Sequence, residues 1–198
     1  MNKKAILITL ILFAINVNSQ SKIKIAEGGI DNLIGVSEYN IEFDYSNITI
    51  ANFDSEEEYL KDKMAIREAK EIGSGEKFKK DWFAFRDSLF EPKFIETFNK
   101  FFTGKVKIKV GKNKDAKYTI LVNTVFVYSG YNVGLWPEES KLKATIYIYE
   151  TGNPDKIEFR SKENYARGRA TYLLGDRIAN AYGLLGRRLA AFLRKKMF

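Results

Sequence analysis

The sequence contains no cysteine and no histidine in its 198 residues. Without cysteine the chain cannot form disulfides, carry a lipid on an N-terminal cysteine or use a thiolate nucleophile, and without histidine it has no imidazole base. Zinc sites of the usual kind and Ser-His-Asp or Cys-His catalytic sets are excluded as well. It also lacks the G-x-S-x-G, phosphate-loop and dinucleotide fingerprints. We therefore expect a protein without metal, cofactor or catalytic residues, and keep a hydrolase that uses two carboxylates as the alternative.

The one long apolar run lies at the N-terminus. Two lysines in residues 1–4 precede an apolar stretch over residues 5–17, and Val17 and Ser19 stand three and one residues before Gln20. This order is typical of a secretory signal peptide. The run is shorter than the roughly 20 residues that span a bilayer. We predict a signal peptide over residues 1–19 and a mature chain without a transmembrane segment, either periplasmic or secreted, with no lipobox cysteine.

The remaining length of about 180 residues fits a single domain, which we place at residues 20–198. Disorder over residues 20–37 is an alternative. We see no internal repeat, linker or low-complexity segment.

The positive charge is concentrated at the C-terminal end. The chain has 33 Lys and Arg against 25 Asp and Glu, a net charge of +8. Residues 156–198 alone hold eleven basic residues and three acids. Polyanions outside the cytoplasm are mostly phospholipid head groups and envelope polymers, so we expect an anionic envelope component or an envelope protein as the partner, and not nucleic acid.

Apolar and polar residues alternate in several segments, as in strands with one buried face. Such patterns predict strands at 39–45, 106–110, 118–128, 142–148 and 157–160. The lysines of 105–109 are typical of an edge strand, whereas 118–128 is apolar on both faces and suits a central strand that forms a hairpin with 142–148. The connection 129–140 is predicted to be a long loop.

Helical spacing predicts the other elements. Ser55 and Glu58 form a capping box for a helix that ends near Lys70. A second helical stretch covers 78–102 and is divided at Pro92. The last helix covers 172–196, and its glycines at 183 and 186 predict a close approach to the sheet. The fold class is therefore α+β: a mostly antiparallel (mixed) sheet of about four to five strands with helices packed on one face, a two-layer sandwich.

The 129–140 loop supplies the first candidate binding residues, Tyr131, Leu135 and Trp136. Large apolar side chains in a surface connection indicate a patch for a protein, glycan or lipid partner. Alternatively, the loop folds back and covers the end of the core.

Arg167 and Arg169 are the second candidate, because they precede the last helix. Two guanidinium groups beside free helix N–H groups could bind an anion. The alternative is a solvated basic loop.

Four segments carry a resemblance to uncharacterised secreted or periplasmic proteins of Bacteroidota: 43–47 (FDYSN), 90–95 (FEPKFI), 131–134 (YNVG) and 181–186 (AYGLLG). The element order is also loosely similar to small periplasmic α+β modules such as the N-terminal domain of TolB. This resemblance implies export and an α+β fold, but no activity or site residue.

These observations favour an exported, non-enzymatic cell-envelope protein that binds a protein or an anionic envelope polymer or lipid. The alternatives are a carboxylate-based periplasmic hydrolase and a structural homo-oligomer joined through the Tyr131–Trp136 loop. The sequence does not fix the oligomeric state.

Overall fold

The computed structural model describes residues 22–104, 106–133 and 136–198. The predicted signal peptide and Leu135 lie outside the described residues. The strands are β1 (Ile25–Gly28), β2 (Glu38–Asp44), β3 (Thr49–Ile50), β4 (Lys109–Gly111), β5 (Tyr118–Tyr128), β6 (Tyr131–Val133), β7 (Trp136–Glu138), β8 (Lys141–Glu150), β9 (Asn153–Ser161) and β10 (Asn164–Arg167). The helices are α1 (Glu56–Glu68), α2 (Ser74–Phe85), α3 (Glu91–Phe101) and α4 (Leu174–Met197), with a π-helical segment at Arg86–Phe90 and a 3-10 turn at Asp31–Leu33.

The main sheet is mixed and has the order β1-β9-β8-β5-β2-β4. Two short strands extend it: β10 pairs with β8, and β3 pairs with β5. The predicted hairpin is confirmed, since β5 and β8 pair antiparallel from Tyr118↔Glu150 to Tyr128↔Lys141. In contrast, β2, β3 and β4 run parallel to their neighbours.

The predicted α+β class with a mixed sheet is confirmed, but the strand count of four to five is wrong. Within the described residues the main sheet has eight strands, and a separate hairpin of β6 and β7 occupies the segment predicted to be a loop. β1, β3, β10 and the hairpin have two to four residues per strand, too few for a period-2 pattern to be recognised. β1 and the 3-10 turn, whose Leu33 is fully buried, lie within 20–37.

The edge position of the lysine-rich strand is correct, but the strand is shorter than predicted. Only Lys109–Gly111 pairs with β2, in parallel. The side chain of Asn99 on α3 takes the place of a further strand: its Nδ2 donates to Val110 O at 2.9 Å, and Val110 N donates to its Oδ1 at 2.8 Å. A side-chain amide therefore satisfies the outward-facing backbone N–H and C=O of Val110 at this edge.

The structure contains the helix cap predicted at Ser55 and the change of helix predicted at Pro92. Ser55 Oγ accepts from Glu58 N at 3.1 Å, while the Glu58 carboxylate accepts from Asp54 N at 3.1 Å, so the reciprocal bond of the capping box reaches one residue further back. Pro92 lies in the first turn of α3, directly after the π-helical segment. The wider turn accommodates a residue that cannot donate to the preceding turn.

The close approach predicted at Gly183 and Gly186 is present, but its partner is α3 and not the sheet. A β-carbon at Gly186 would lie 2.5 Å from Phe94 O, and one at Gly183 would lie 3.1 Å from Lys93 Cγ. Thr97 Oγ1 donates to Gly183 O at 2.8 Å across the same contact. Without β-carbons the two helix backbones come close enough for this bond.

α4 covers one face of the sheet. Tyr182, fully buried, shares a 2.7 Å hydrogen bond with Thr124 Oγ1 of β5, and Phe192 packs on Phe159 of β9 at 5.5 Å between ring centroids. The hydrophobic core lies between this face and the helices.

Candidate binding surface

The sheet has a second face, and we call its aromatic and basic part the open face. From Lys141 to Ile148 in β8, half-buried and buried residues alternate: the buried ones face α4, and the half-buried ones face the other way. The open face consists of Phe126, Tyr128, Lys141, Lys143, Tyr147, Tyr165 and Arg167.

A β-bulge in β5 gives the open face two of its aromatic rings. Thr124 pairs with Ala144 and Phe126 pairs with Lys143, so Val125 is the extra residue. A bulge shifts the alternation by one position. Phe126 and Tyr128 therefore turn toward the open face, where Lys143 and Lys141 lie 5.7 and 4.8 Å from the respective ring centroids.

The cations of the open face are paired with carboxylates. The pairs are Lys141 with Glu138 at 2.8 Å, Lys143 with Glu163 at 3.1 Å and Arg167 with Glu139 at 4.0 Å. Exposed pairs of this kind contribute little stability, but they balance the charge. The open face is therefore aromatic and nearly neutral, despite its basic residues.

The hairpin continues the open face. Tyr131 pairs with Glu138, so their side chains share one side of the hairpin, and strand alternation puts Trp136 on that side too. Glu138 accepts from Tyr128 OH at 2.6 Å and from Lys141 Nζ at 2.8 Å, which joins this side to the sheet. Trp136 is 79% exposed and Tyr131 43% exposed. Trp136 thus does not cover the core.

The hydrogen bonds of Glu138 shift the pKa values of Glu138 itself and of Tyr128. The hydrogen bonds from Lys141 and Tyr128 lower the pKa of the Glu138 carboxyl, so it stays ionised. Burial, together with the hydrogen bond to Glu138, raises the pKa of Tyr128 to about 12. The junction between sheet and hairpin therefore keeps one charge state across the physiological pH range.

Arg167 and Arg169 belong to different elements: Arg167 ends β10, and Arg169 lies in the connection before α4. Side chains alternate along β10, so Arg167 points to the open face and its neighbour Ala166 points to the other side. Ala166 is fully buried beneath the helices. Arg169 is exposed in the connection that leads to α4. Within the described residues Arg167 contacts Tyr165 and Glu139, and the anion site with both guanidinium groups stays a prediction.

The arginine at the start of α4 is Arg177, which sequence reasoning missed. It is 6% exposed and donates to Ser129 O at 2.9 Å, Thr171 O at 2.8 Å and Tyr172 O at 2.9 Å. Burial lowers the pKa of this guanidinium. A signal was available, since Arg177 falls on the apolar stripe of α4, one residue before the buried Ile178.

Arg177 connects the two regions singled out in the sequence. Ser129 precedes the hairpin, and Thr171 and Tyr172 lie between Arg169 and α4. Ser140 Oγ, just after the hairpin, donates to Arg177 O at 2.6 Å, and Asn132 Nδ2 donates to Ala170 O at 3.3 Å. The hairpin is thus attached to the start of α4 at both of its ends.

A separate cleft of about 540 Å³ opens along β2. It is lined by Asn40, Ile41, Glu42, Phe43, Glu91, Lys112 and Lys114. Glu91 is buried, and Lys112 Nζ lies 3.3 Å from its carboxylate. Burial raises the pKa of Glu91, although Lys112 opposes this effect. Glu42 accepts from Tyr149 OH at 2.8 Å.

The described ranges 22–104, 106–133 and 136–198 hold no group of three or more acidic, histidine or cysteine side chains arranged to bind a metal ion. None of their helices is both long and apolar enough to cross a membrane.

Comparisons with known proteins give no family assignment. No protein-family model matches the chain, and no curated protein matches it. Among solved structures, the chain is similar to a PelC dodecamer from Paraburkholderia phytofirmans, with a TM-score of 0.37 and 9% identity over 85% of this chain and 93% of that one. A dodecamer of a PelC point variant from the same organism gives a TM-score of 0.39 and 9% identity over 84% and 97% of the two chains.

Proposed function

We propose that this protein is an exported, non-enzymatic cell-envelope protein whose open face and hairpin bind an extended envelope polymer. One observation carries the proposal: the exposed side of the hairpin, with Tyr131 and Trp136, is continuous with the aromatic residues of the open face through Glu138. The predicted signal peptide is consistent with a location outside the cytoplasm.

The chemistry of the surface favours a chain of sugar rings. Flat aromatic side chains offer apolar stacking area together with polar edges. Lys141, Lys143 and the carboxylates beside them supply donors and acceptors for hydroxyl groups. A strongly anionic ligand would have to compete with carboxylates already in place, so the polymer is recognised mainly through stacking and hydrogen bonding. An envelope protein is the other partner for the same surface.

Tryptophan fluorescence tests the proposal directly. The chain has two tryptophans, and Trp82 is buried, with its indole N–H donating to Glu56 at 2.7 Å. A Trp82→Phe variant therefore leaves Trp136 as the only reporter. Adding solubilised envelope polysaccharide should shift or quench its emission, with a response that changes little between low and high salt. An unchanged emission with every polysaccharide fraction would refute polymer binding at the hairpin.

Paired variants identify the binding surface. Tyr131→Ala with Trp136→Ala should weaken polymer binding at least about tenfold, because exposed aromatic anchors dominate such interfaces. Ile72→Ala is the control, since Ile72 is 94% exposed in the turn between α1 and α2 and belongs neither to the open face nor to the hairpin. Equal losses in both variants would contradict the assignment.

Arg167 and Arg169, the two arginines predicted from the sequence, provide a test of whether the ligand is bound through charge or through stacking. If the ligand is anionic at this end, Arg167→Gln with Arg169→Gln should weaken binding and reduce its salt dependence. If stacking dominates, as we propose, this double variant should bind within about threefold of the wild type, since exposed charges contribute little to such binding. A larger loss that disappears at high salt would replace the stacking proposal by an anion site.

The cleft beside β2 supports a carboxylate-based hydrolase as the second candidate. Glu91, with its raised pKa, would be the general acid and Glu42 the second carboxylate. Glu91→Gln and Glu42→Gln should each abolish any glycan cleavage by the wild-type protein. Cleavage that survives in both variants would exclude this site.

A further inference from the structure

The outer side of α4 carries unbalanced positive charge in its second half. Arg187, Ala191, Arg194, Lys195 and Phe198 are exposed and recur at helical spacing, so they form one stripe. The helix contains no acidic residue after Asp176. We call these five residues the basic stripe.

The cations of the basic stripe differ from those of the open face in lacking carboxylate partners. Within the described residues, Arg187, Arg194 and Lys195 take part in no ion pair, and Arg194 lies over the ring of Phe101 at 5.7 Å. The helix dipole accounts for Arg194 and Lys195 in the last turn. It does not account for Arg187, about three turns from the helix end.

The neighbouring helix does not neutralise this charge. Gly183 of α4 lies beside Lys93 of α3, and Arg194 lies over Phe101 further along both helices. Because residue numbers increase together along the contact, the helices run parallel. On α3, Glu96 is already held by Lys93 at 2.9 Å and Lys100 at 3.9 Å.

We propose that the basic stripe docks the protein on an anionic phospholipid surface. Unpaired guanidinium and ammonium groups along one side of a helix attract anionic head groups, and each adds to the affinity. Phe198, which is 68% exposed at the end of the stripe, adds an aromatic ring of the kind that lies at the membrane interface. This apolar end favours a bilayer over a soluble polyanion.

The position of the stripe links it to the rest of the molecule. α4 packs its buried side on the sheet, so the basic stripe and the open face lie on opposite sides of the two layers. A protein docked through α4 presents its open face away from the bilayer. The proposal does not depend on what the open face binds.

Vesicle sedimentation tests the proposal. The chain from Gln20 onward should bind vesicles of equal parts phosphatidylglycerol and phosphatidylcholine, and not vesicles of phosphatidylcholine alone, with affinity falling as salt rises. Arg187→Gln with Lys195→Gln should weaken binding on the order of 30-fold, the factor expected for two cations at about 1 kcal/mol each. Phe198→Ser should weaken the binding that remains at high salt.

The matched control is Lys79→Gln with Lys80→Gln, which removes the same charge from exposed positions on α2. It should bind vesicles as the wild type does. Equal losses in both double variants, no binding by the wild type, or binding to soluble dextran sulfate but not to vesicles would each overturn the proposal. Tyr131→Ala with Trp136→Ala should keep vesicle binding, so a failure of lipid docking and a failure of polymer binding are distinguishable.

Discussion

Arg177 shows how one buried side chain can organise a surface without being part of it. Its guanidinium donates to backbone carbonyls on both sides of the hairpin attachment, and no carboxylate is among these acceptors. A buried charge with this many hydrogen bonds is retained at a cost in desolvation, which the lowered pKa reflects. The placement of the hairpin therefore depends on a residue of α4.

Arg177→Met should destabilise the protein by about 3 kcal/mol, because the carbonyls of Ser129, Thr171 and Tyr172 would lose charged donors in a buried position. Urea unfolding followed by circular dichroism measures the change. Arg187→Met on the same helix is exposed and should change the free energy of unfolding by less than about 0.5 kcal/mol. Similar values for both variants would contradict the role assigned to Arg177.

Glu91 gives a pH-dependent prediction. Burial raises its pKa in the folded state, so protonation favours folding, and this contribution is lost as the pH rises through the unfolded and then the folded pKa. Relative to wild type, Glu91→Gln should therefore gain stability between about pH 4 and about pH 7. Urea unfolding at the two pH values measures it. A variant that loses relative stability toward neutral pH would show that Lys112 outweighs burial.

At the level of elements, the packing of α3 on α4 depends on two positions without a β-carbon. Gly186 meets a backbone carbonyl, Phe94 O, which cannot move away without displacing α3. Gly183 meets the side chain of Lys93, which can rotate. The two glycines therefore differ in how much substitution they tolerate.

Gly186→Ala should destabilise the protein by about 1 to 3 kcal/mol, although alanine gains about 1 kcal/mol in helix propensity. Gly183→Leu should be destabilising to a similar degree, since the larger side chain has no room beside Lys93 and Thr97. Gly183→Ala is the control and should change stability least. Thermal melts measure all three, and an unchanged melting temperature for Gly186→Ala would show that the helices separate easily.

The whole molecule presents two chemically different sides. On one side lies the aromatic, charge-balanced open face, and on the other lies the basic stripe of α4 with its unpaired cations. The concentration of positive charge in residues 156–198, visible in the sequence, is divided between them: Arg167 belongs to the open face, whereas Arg187 and Lys195 belong to the stripe. Net charge alone therefore does not identify which side binds an anion.

The molecular mass of the protein in solution distinguishes a monomer from the structural homo-oligomer alternative. If the hairpin is a binding surface for a polymer, the purified protein without its predicted signal peptide should have the mass of one chain by light scattering at high concentration. If the Tyr131–Trp136 segment joins copies instead, the mass should be a multiple that returns to one chain in the Trp136→Ala variant. Such an oligomer would contradict a free open face.

Local sequence determined those elements whose pattern repeats within a few residues. The alternation in β5 and β8, the capping of α1 by Ser55 and the apolar stripe of α4 each depend on neighbours along the chain, so the α+β class and the central hairpin follow from them. The exposed Tyr131 and Trp136 were identifiable for the same reason, since large apolar residues stand out in a polar connection.

Tertiary structure alone decided the features that join distant residues. The short strands are stabilised by pairing with neighbouring strands rather than by their own composition, and the bulge at Val125 determines which face Phe126 takes. Arg177 donates to carbonyls that are 48 and 6 residues away in the sequence. The backbone of α3 leaves no room for a β-carbon at Gly186. Contacts of this kind leave no local period, because the free energy that selects them comes from burial and hydrogen bonding between segments that meet only in the folded chain.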